Sequence, residues 1–269
     1  MESFNKKYLF LRLIYLGGIL IIIETIINIF MLKGLFTINI VNSGVFQMIC
    51  KSKEKHNAKI LVIGDSVCDQ LYDCSTDNNT ICSLASNQGV TIAGYYFLIN
   101  NYLKVNTPQK VILLIHPNTL QNDLNSIGYN YFMKPFYTSE YKNKFNKHLI
   151  ERVHETPNWW LSQVPGIKTT SYTPNYQVQP SFPISITAES YIDSIKTFCN
   201  IQKVKFELHI NPLSETMRPH VNEMIDKTDN KIIKSALLEC TFFPDSLFID
   251  KVHFYRKHIP IDFFNLYKQ

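Results

Sequence analysis

The feature that most constrains this chain is a long apolar segment near its N-terminus. From Leu9 to Leu32 the sequence reads LFLRLIYLGGILIIIETIINIFML, interrupted by Arg12, Glu24 and Asn28. At the helical rise of about 1.5 Å per residue, this length suffices to cross the hydrocarbon core of a bilayer, about 30 Å thick. The segment predicts an N-terminal transmembrane helix within residues 1–33. The alternative is a buried helix at the head of a soluble domain.

The charges around this segment predict its orientation. Lys6, Lys7 and Arg12 precede the apolar core and Lys33 follows it, which favours a cytoplasmic N-terminus by the positive-inside rule. Further lysines between residues 51 and 59 weaken this asymmetry. No small-residue cleavage site follows the most apolar stretch, so we expect an uncleaved signal anchor. The globular part is then expected outside the cytosol, in a periplasm or at the cell surface.

The composition excludes several classes of protein. With 45% hydrophobic and 18% charged residues, the chain does not have the composition of a disordered protein. The net charge of +5 comes mostly from dispersed lysines, so we expect no nucleic-acid partner. The six cysteines lack zinc-site spacing, and we expect neither a metal nor a cofactor. A disulfide within the set Cys68, Cys74 and Cys82 remains an option if the domain is exported.

Alternating strand and helix patterns predict the fold of the remainder. A mixed connector covers residues 34–57, and one domain covers 58–269 with an aromatic-rich insertion around 125–180. Continuous apolar runs such as KILVI and KVILLI are typical of strands buried on both faces of a parallel sheet. We expect a three-layer, doubly wound α/β domain. The expected strands are 59–63, 80–84, 110–115 and 204–210, and the expected helices are 67–72, 91–103 and 188–199, the last capped by Thr187.

Ligands of open α/β sheets bind beyond the carboxyl ends of the strands. Here that rule brings residues 65–66, 83–89 and 116–123 around one crevice. The first of these turns has a single glycine, Gly64, which excludes the glycine-rich fingerprint of a dinucleotide-binding fold. Ser66 also lacks the flanking glycines of the nucleophile elbow in α/β-hydrolases.

The segments at the two ends of the domain suggest a catalytic triad. Ser66 lies where the first strand meets a helix, close to backbone N–H groups that stabilise an oxyanion. Near the C-terminus, Asp250 precedes His253 by three residues, so the carboxylate can orient the imidazole as a general base for the serine. Singly, each residue has a plain alternative: Ser66 as a helix N-cap, Asp65 as a turn residue and His253 as a partly buried histidine. The order of the two segments, nucleophile first and base last, favours the triad.

The spacing of these segments resembles that of the SGNH (GDSL-type) hydrolases. Gly64-Asp65-Ser66 matches the first block of that family, and Asp250 with His253 matches the last. The resemblance implies an SGNH-like α/β fold of flavodoxin-like strand order. It also implies Ser66 as nucleophile, His253 as general base and Asp250 as the acid that orients it.

Two middle blocks of the family supply its oxyanion hole, together with the N–H of the nucleophile, here Ser66. The second block has a glycine donor whose place is taken here by Ala85 or Ser86. The third block, G-x-N-D in the family, reads His116-Pro117-Asn118-Thr119. The register makes Asn118 the expected side-chain donor, with Asn122 as its rival.

An anchor ahead of such a domain resembles the envelope-facing branch of the family, which includes proteins of polysaccharide O-acetylation and D-alanyl transfer. This resemblance implies an acylated carbohydrate or polymer as substrate and a multi-span membrane acyltransferase as a possible partner. Aromatic residues of the insertion suit sugar rings or, alternatively, simple packing into a cap or against the membrane interface. The expected function is that of a serine-dependent acyl-ester hydrolase or O-acyltransferase, with acetyl as the expected acyl group. The alternative is a catalytically inactive SGNH-like protein that binds glycan or scaffolds envelope assembly.

Overall fold

A four-stranded parallel sheet forms the centre of the protein in a computed structural model, which describes residues 6–32, 43–72, 77–86, 90–122, 132–136, 139–155 and 183–255. The sheet order is β2-β1-β3-β4. In the register, Ile60 pairs with Lys110 and Gly64 with Leu114, so the central strands end side by side. The strands are β1 (Ile60–Gly64), β2 (Ile81–Ser83), β3 (Lys110–Ile115) and β4 (Lys205–Ile210).

Helices connect the strands and cover the sheet. Within the described residues they are α1 (Lys6–Leu32), α2 (Ser43–Ser52), α3 (Ser66–Leu71), α4 (Ile92–Val105), α5 (Pro117–Leu120), α6 (Ser139–Lys142), α7 (Lys147–Glu155), α8 (Ile186–Ile201), α9 (Arg218–Lys227) and α10 (Lys231–Leu238). A short parallel pair, β5 (Leu213–Ser214) and β6 (Phe242–Phe243), forms a second sheet.

Both faces of the central sheet are buried, as the continuous apolar runs predict. Leu61 and Ile63 of β1 join a large core cluster with residues of α2, α4 and α8, whereas Ile60 and Val62 join a smaller cluster with α3. Successive side chains of a strand point to opposite faces, so an alternating pattern would have left one face in water. The α/β class is confirmed, and the arrangement is compatible with three layers.

The positions of the expected elements agree closely with the structure. The strand at 110–115 is confirmed residue for residue, and the other three strands and the helix at 91–103 are found within two residues of their expected ends. The helix expected at 188–199 begins earlier, because Ser185 rather than Thr187 caps it. The Ser185 Oγ accepts the backbone N–H groups of Thr187 and Ala188 at 3.1 and 3.3 Å.

The apolar N-terminal segment is helical, since α1 comprises 27 residues. A search confined to the described residues, which omit some side chains of α1, finds no helix with the length and hydropathy of a membrane span. Membrane insertion of the segment therefore stays a prediction.

The expected connector at 34–57 contains a helix that belongs to the core. Val45, Met48 and Ile49 of α2 are buried in the large cluster. Their spacing of three and four residues places them on one face of a helix. This pattern indicates a helix, although the polar run at 51–57 favours a domain boundary. Over its described part, the connector is thus an element of the domain.

The described part of the aromatic-rich insertion packs inward. Phe132, Phe136 and Tyr141 are buried, and the Phe136 ring lies 5.4 Å from Phe97 and 5.3 Å from Tyr141 between centroids. For these three side chains the structure favours the packing interpretation over contact with sugars. Trp159, Trp160 and the other aromatic residues of 156–182 lie outside the described residues.

Two of the three cysteines considered for a disulfide are buried thiols. Cys68 and Cys82 are 0% and 1% exposed and neither is part of a disulfide. Burial raises the pKa of the Cys68 thiol well above its ordinary value. Both act as small apolar core residues. Cys74 lies outside the described residues.

Gly64 allows β1 and β3 to approach each other at the point where the chain enters α3. A Cβ at this position would overlap the Leu114 carbonyl oxygen and lie 2.7 Å from the Cys68 Cβ. We predict that Gly64→Ala lowers the free energy of unfolding by at least about 2 kcal/mol, since overpacking against backbone forces the strands apart. Urea titration followed by circular dichroism measures this loss.

Gly17→Ala provides the matched control, because a Cβ at Gly17 meets nothing within 4 Å. The control should leave the urea midpoint of the α/β domain unchanged. Equal midpoints for Gly64→Ala and wild type would show that the close approach at Gly64 is not required.

Candidate active site

The Asp65 side chain is the central polar contact of the sheet's carboxyl edge. It is buried, with 6% of its surface exposed, and it caps α3. Five donors reach its two oxygens. At Oδ1 these are the Val67 N–H (3.1 Å), the Cys68 N–H (3.4 Å) and the Asn211 amide (2.9 Å), and at Oδ2 the His116 N–H (2.5 Å) and the Thr119 hydroxyl (2.9 Å).

These hydrogen bonds join the ends of three strands, because Asp65 follows β1, His116 follows β3 and Asn211 follows β4. Burial raises the pKa of Asp65, and the bonds from His116, Thr119, Cys68 and Val67 oppose that rise. The ionised carboxylate is the form that can accept all five donors. Asp65 is therefore more than a turn residue: it caps α3 and holds the carboxyl ends of β1, β3 and β4 together.

The structure brings Ser66, His253 and Asp250 into one chain of hydrogen bonds. The Ser66 Oγ lies 2.7 Å from the His253 Nε2, and the His253 Nδ1 lies 2.8 Å from the Asp250 Oδ2. An ionised Asp250 can only accept, so Nδ1 carries the ring proton and Nε2 is left to accept the serine O–H. Ser66 is the first residue of α3 and not its cap, since Asp65 holds that position.

The Asp250 carboxylate both shapes its own turn and orients the histidine. Its Oδ1 accepts the backbone N–H groups of Val252 and His253 at 3.1 and 2.7 Å, while its Oδ2 contacts the ring. Lys251 adopts a left-handed conformation, with φ of 67°, to close this turn. Burial raises the pKa of Asp250, but the hydrogen bonds and charge of His253, together with the Val252 N–H, hold that pKa below its ordinary value.

Gln70 connects the serine helix to the histidine turn. It lies four residues after Ser66, so both side chains share one face of α3. Its Oε1 accepts the Phe254 N–H at 3.2 Å and its Nε2 donates to the Phe254 carbonyl at 3.4 Å. The amide thus pairs with the residue next to His253 and connects the two parts of the predicted triad. No motif in the sequence indicates this role of Gln70, although its spacing of four residues from Ser66 places both on one face of a helix.

The second-block candidates for the oxyanion hole have their N–H groups engaged elsewhere. The Ala85 N–H donates to the Ser83 Oγ at 3.2 Å, and the Ser86 N–H donates to the Gly64 carbonyl at 3.4 Å. Both residues follow the carboxyl end of β2, where the crevice is expected, and both are buried. In this arrangement neither N–H points to a substrate unless its present bond is broken.

The third-block candidates retain unused donors among the described residues. The Asn118 N–H is bonded to the His116 Nδ1 at 3.2 Å, but its side-chain amide makes no hydrogen bond to the described residues. The Asn122 Nδ2 is buried without a partner. The Ser66 N–H has no acceptor in the part of the chain that the structure describes. The structure therefore leaves Ser66, Asn118 and Asn122 as available donors of the predicted set.

Two further histidines lie at this site, and neither was assigned a role from the sequence. His116 is 3% exposed, and burial together with the charges of His253 and His220 lowers its pKa to about 3. Burial also lowers the pKa of His220. The Nε2 atoms of both rings are buried without a hydrogen-bond partner in the described structure.

Comparisons with other proteins identify no relative. No protein-family model, no curated protein and no solved structure matches the chain. Over the described ranges, no group of three or more His, Cys, Asp or Glu side chains is arranged to hold a metal ion.

The hydrogen bonds of Gln70 are expected to stabilise the turn that carries His253. We predict that Gln70→Ala lowers the free energy of unfolding by about 1–3 kcal/mol, since two partly buried hydrogen bonds are lost. Amide hydrogen exchange at Phe254 should accelerate at the same time, because the variant removes the acceptor of that N–H. Exchange followed by mass spectrometry measures the second effect.

Gln109→Ala is the matched control, since Gln109 is exposed and its side chain makes no hydrogen bond to the described residues. It should change neither quantity. Unaltered exchange at Phe254 in Gln70→Ala would contradict the proposed connection.

Proposed function

We propose that the protein is a serine-dependent acyl-ester hydrolase or O-acyltransferase. The observation that carries this proposal is the unbroken chain from the Ser66 Oγ through His253 to Asp250, with contacts of 2.7 and 2.8 Å. A nucleophile within hydrogen-bond reach of a base that a carboxylate orients is the arrangement that covalent acyl transfer requires. The sheet order β2-β1-β3-β4 agrees with the start of the flavodoxin-like order and supports an SGNH-like assignment.

In the first half-reaction, the Ser66 Oγ attacks the acyl carbon of the ester as its proton passes to the His253 Nε2. The Asp250 carboxylate stabilises the imidazolium that forms, and its lowered pKa keeps it ionised for this role. The negative charge on the carbonyl oxygen is stabilised by nearby donors, among them the Ser66 N–H and the Asn118 or Asn122 amide. The tetrahedral intermediate then expels the alcohol, which takes its proton from His253.

In the second half-reaction, His253 removes a proton from an acceptor that attacks the acyl-serine. Water as acceptor gives hydrolysis, and a sugar hydroxyl gives transfer. Both reactions restore the Ser66 hydroxyl by returning the proton through His253. The two activities thus share every residue of the triad and differ in the acceptor that reaches it.

The expected substrate is an acylated carbohydrate or polymer of the cell envelope, with acetyl as the expected acyl group. The likeness of the sequence blocks to the envelope-facing SGNH proteins supports this class. If α1 anchors the chain to the membrane, the site lies outside the cytosol, in the periplasm or at the cell surface. A transferase would then receive its acyl group through a multi-span membrane acyltransferase, because a single helix provides no path across the bilayer.

A second candidate function is that of an inactive domain that binds glycan or scaffolds envelope assembly. One observation favours it: the N–H groups of Ala85 and Ser86, expected in the oxyanion hole, are bonded to Ser83 and Gly64. The intact triad favours the enzyme, because a domain without catalysis has no need for the aligned hydrogen bonds of Ser66, His253 and Asp250.

The enzyme proposal predicts that turnover of 4-nitrophenyl acetate depends on Ser66. In the full-length chain, Ser66→Ala and His253→Ala should each lower kcat at least about 1,000-fold. The two residues act as one unit, so the loss of either removes the activated nucleophile. For the same reason, the double variant should be no slower than either single variant. Initial rates with purified protein measure all three.

Ser235→Ala is the control, because Ser235 is exposed on α10 and, within the described residues, its hydroxyl bonds to Glu239 alone. Its rate should equal that of wild type. Turnover retained in Ser66→Ala would exclude the triad. No turnover in wild type, combined with measurable glycan binding, would select the second candidate.

A further inference from the structure

His116 presents an unused hydrogen-bond donor at the carboxyl end of β3. Its Nδ1 lies 3.2 Å from the Asn118 N, and a backbone N–H can only donate. Nδ1 is therefore the acceptor of that bond, which assigns the ring proton of the neutral imidazole to Nε2. The Nε2–H is buried and has no acceptor within the described residues. A buried donor without an acceptor costs free energy, so its retention calls for a partner that arrives with the substrate.

The backbone fixes His116 next to the nucleophile. Gly64 pairs with Leu114 in the register of β1 and β3. Ser66 follows Gly64 by two residues, and His116 follows Leu114 by two residues, so both lie just beyond this pair. The His116 N–H also donates to Asp65, the residue before Ser66. The charges of His253 and Asp250 both influence the pKa of His116, which is consistent with a ring close to the triad.

Its charge state suits a donor role. Because burial and the neighbouring histidines lower its pKa to about 3, the His116 imidazole is neutral at neutral pH. A neutral imidazole can polarise a carbonyl group through its N–H without exchanging a proton. His116 is thus distinct in function from His253, although both rings lie at the same site.

We propose that His116 is a further catalytic residue, whose Nε2–H donates to the acyl oxygen as negative charge develops on it. This inference rests on the proposed acyl transfer at Ser66. It supplies a donor where the N–H groups of Ala85 and Ser86 are engaged elsewhere. His116 takes the place of the glycine in the third sequence block, so a side chain would contribute there in addition to Asn118 or Asn122.

Two substitutions separate this role from the structural role of His116 as the cap of α5. His116→Asn keeps a side-chain acceptor for the Asn118 N–H but removes the Nε2–H. His116→Gln carries an amide N–H to about the position of Nε2 but loses the acceptor near Asn118. The full-length chain is assayed with 4-nitrophenyl acetate, and melting temperatures are measured beside the rates.

We expect His116→Asn to lower kcat about 100-fold or more, with KM within threefold of wild type and an unchanged melting temperature. His116→Gln should recover at least part of the rate despite a lower melting temperature. The pH dependence of kcat should keep its shape in both variants, because the base remains His253.

Wild-type kcat in His116→Asn would overturn the inference, and so would rates in both variants that simply follow their melting temperatures. Ser66→Ala, assayed in parallel, distinguishes failure of the His116 inference from failure of the proposed function. If wild-type turnover depends on Ser66 while His116→Asn stays fully active, only the role of His116 is wrong. If turnover does not depend on Ser66, the proposed function fails and the inference fails with it.

Discussion

The buried carboxylate of Asp65 is the interaction on which the site depends. Two oxygens accept five donors that come from the start of α3, the end of β3, α5 and the end of β4. Burying a carboxylate costs free energy unless hydrogen bonds compensate it, so the loss of any one donor would destabilise this arrangement. The same bonds that satisfy Asp65 also place Ser66 at the start of its helix and His116 at the end of its strand.

The other half of the predicted triad is held by local contacts within its turn and by the contact of Gln70 with Phe254. Asp250 folds its own turn with one oxygen and orients His253 with the other. Gln70 then pairs with the backbone of Phe254, and the Phe248 and Phe254 rings stack with centroids 4.4 Å apart behind the turn. The distance between Ser66 and His253, which are 187 residues apart in sequence, is therefore determined by contacts on both sides of the pair.

Much of this arrangement could be predicted from the sequence, for identifiable reasons. The apolar runs of β1 and β3 indicate a buried parallel sheet, and the crevice rule then places Ser66, Ala85 and Asn118 at one edge. The D-x-x-H turn is local, so its internal geometry is readable from spacing alone. What could not be predicted depends on competition for hydrogen bonds. Ser83 takes the Ala85 N–H, and His116 takes the Asn118 N–H, and neither choice is visible in a linear pattern.

The central claim is that Ser66 is a nucleophile activated by His253. The most direct test is to treat the full-length protein with a serine-directed fluorophosphonate and to map the adduct by mass spectrometry. The account predicts a single stoichiometric adduct on Ser66, absent in Ser66→Ala and formed much more slowly in His253→Ala. Absence of an adduct in the folded wild-type protein, or labelling at another residue with Ser66 unmodified, would contradict it.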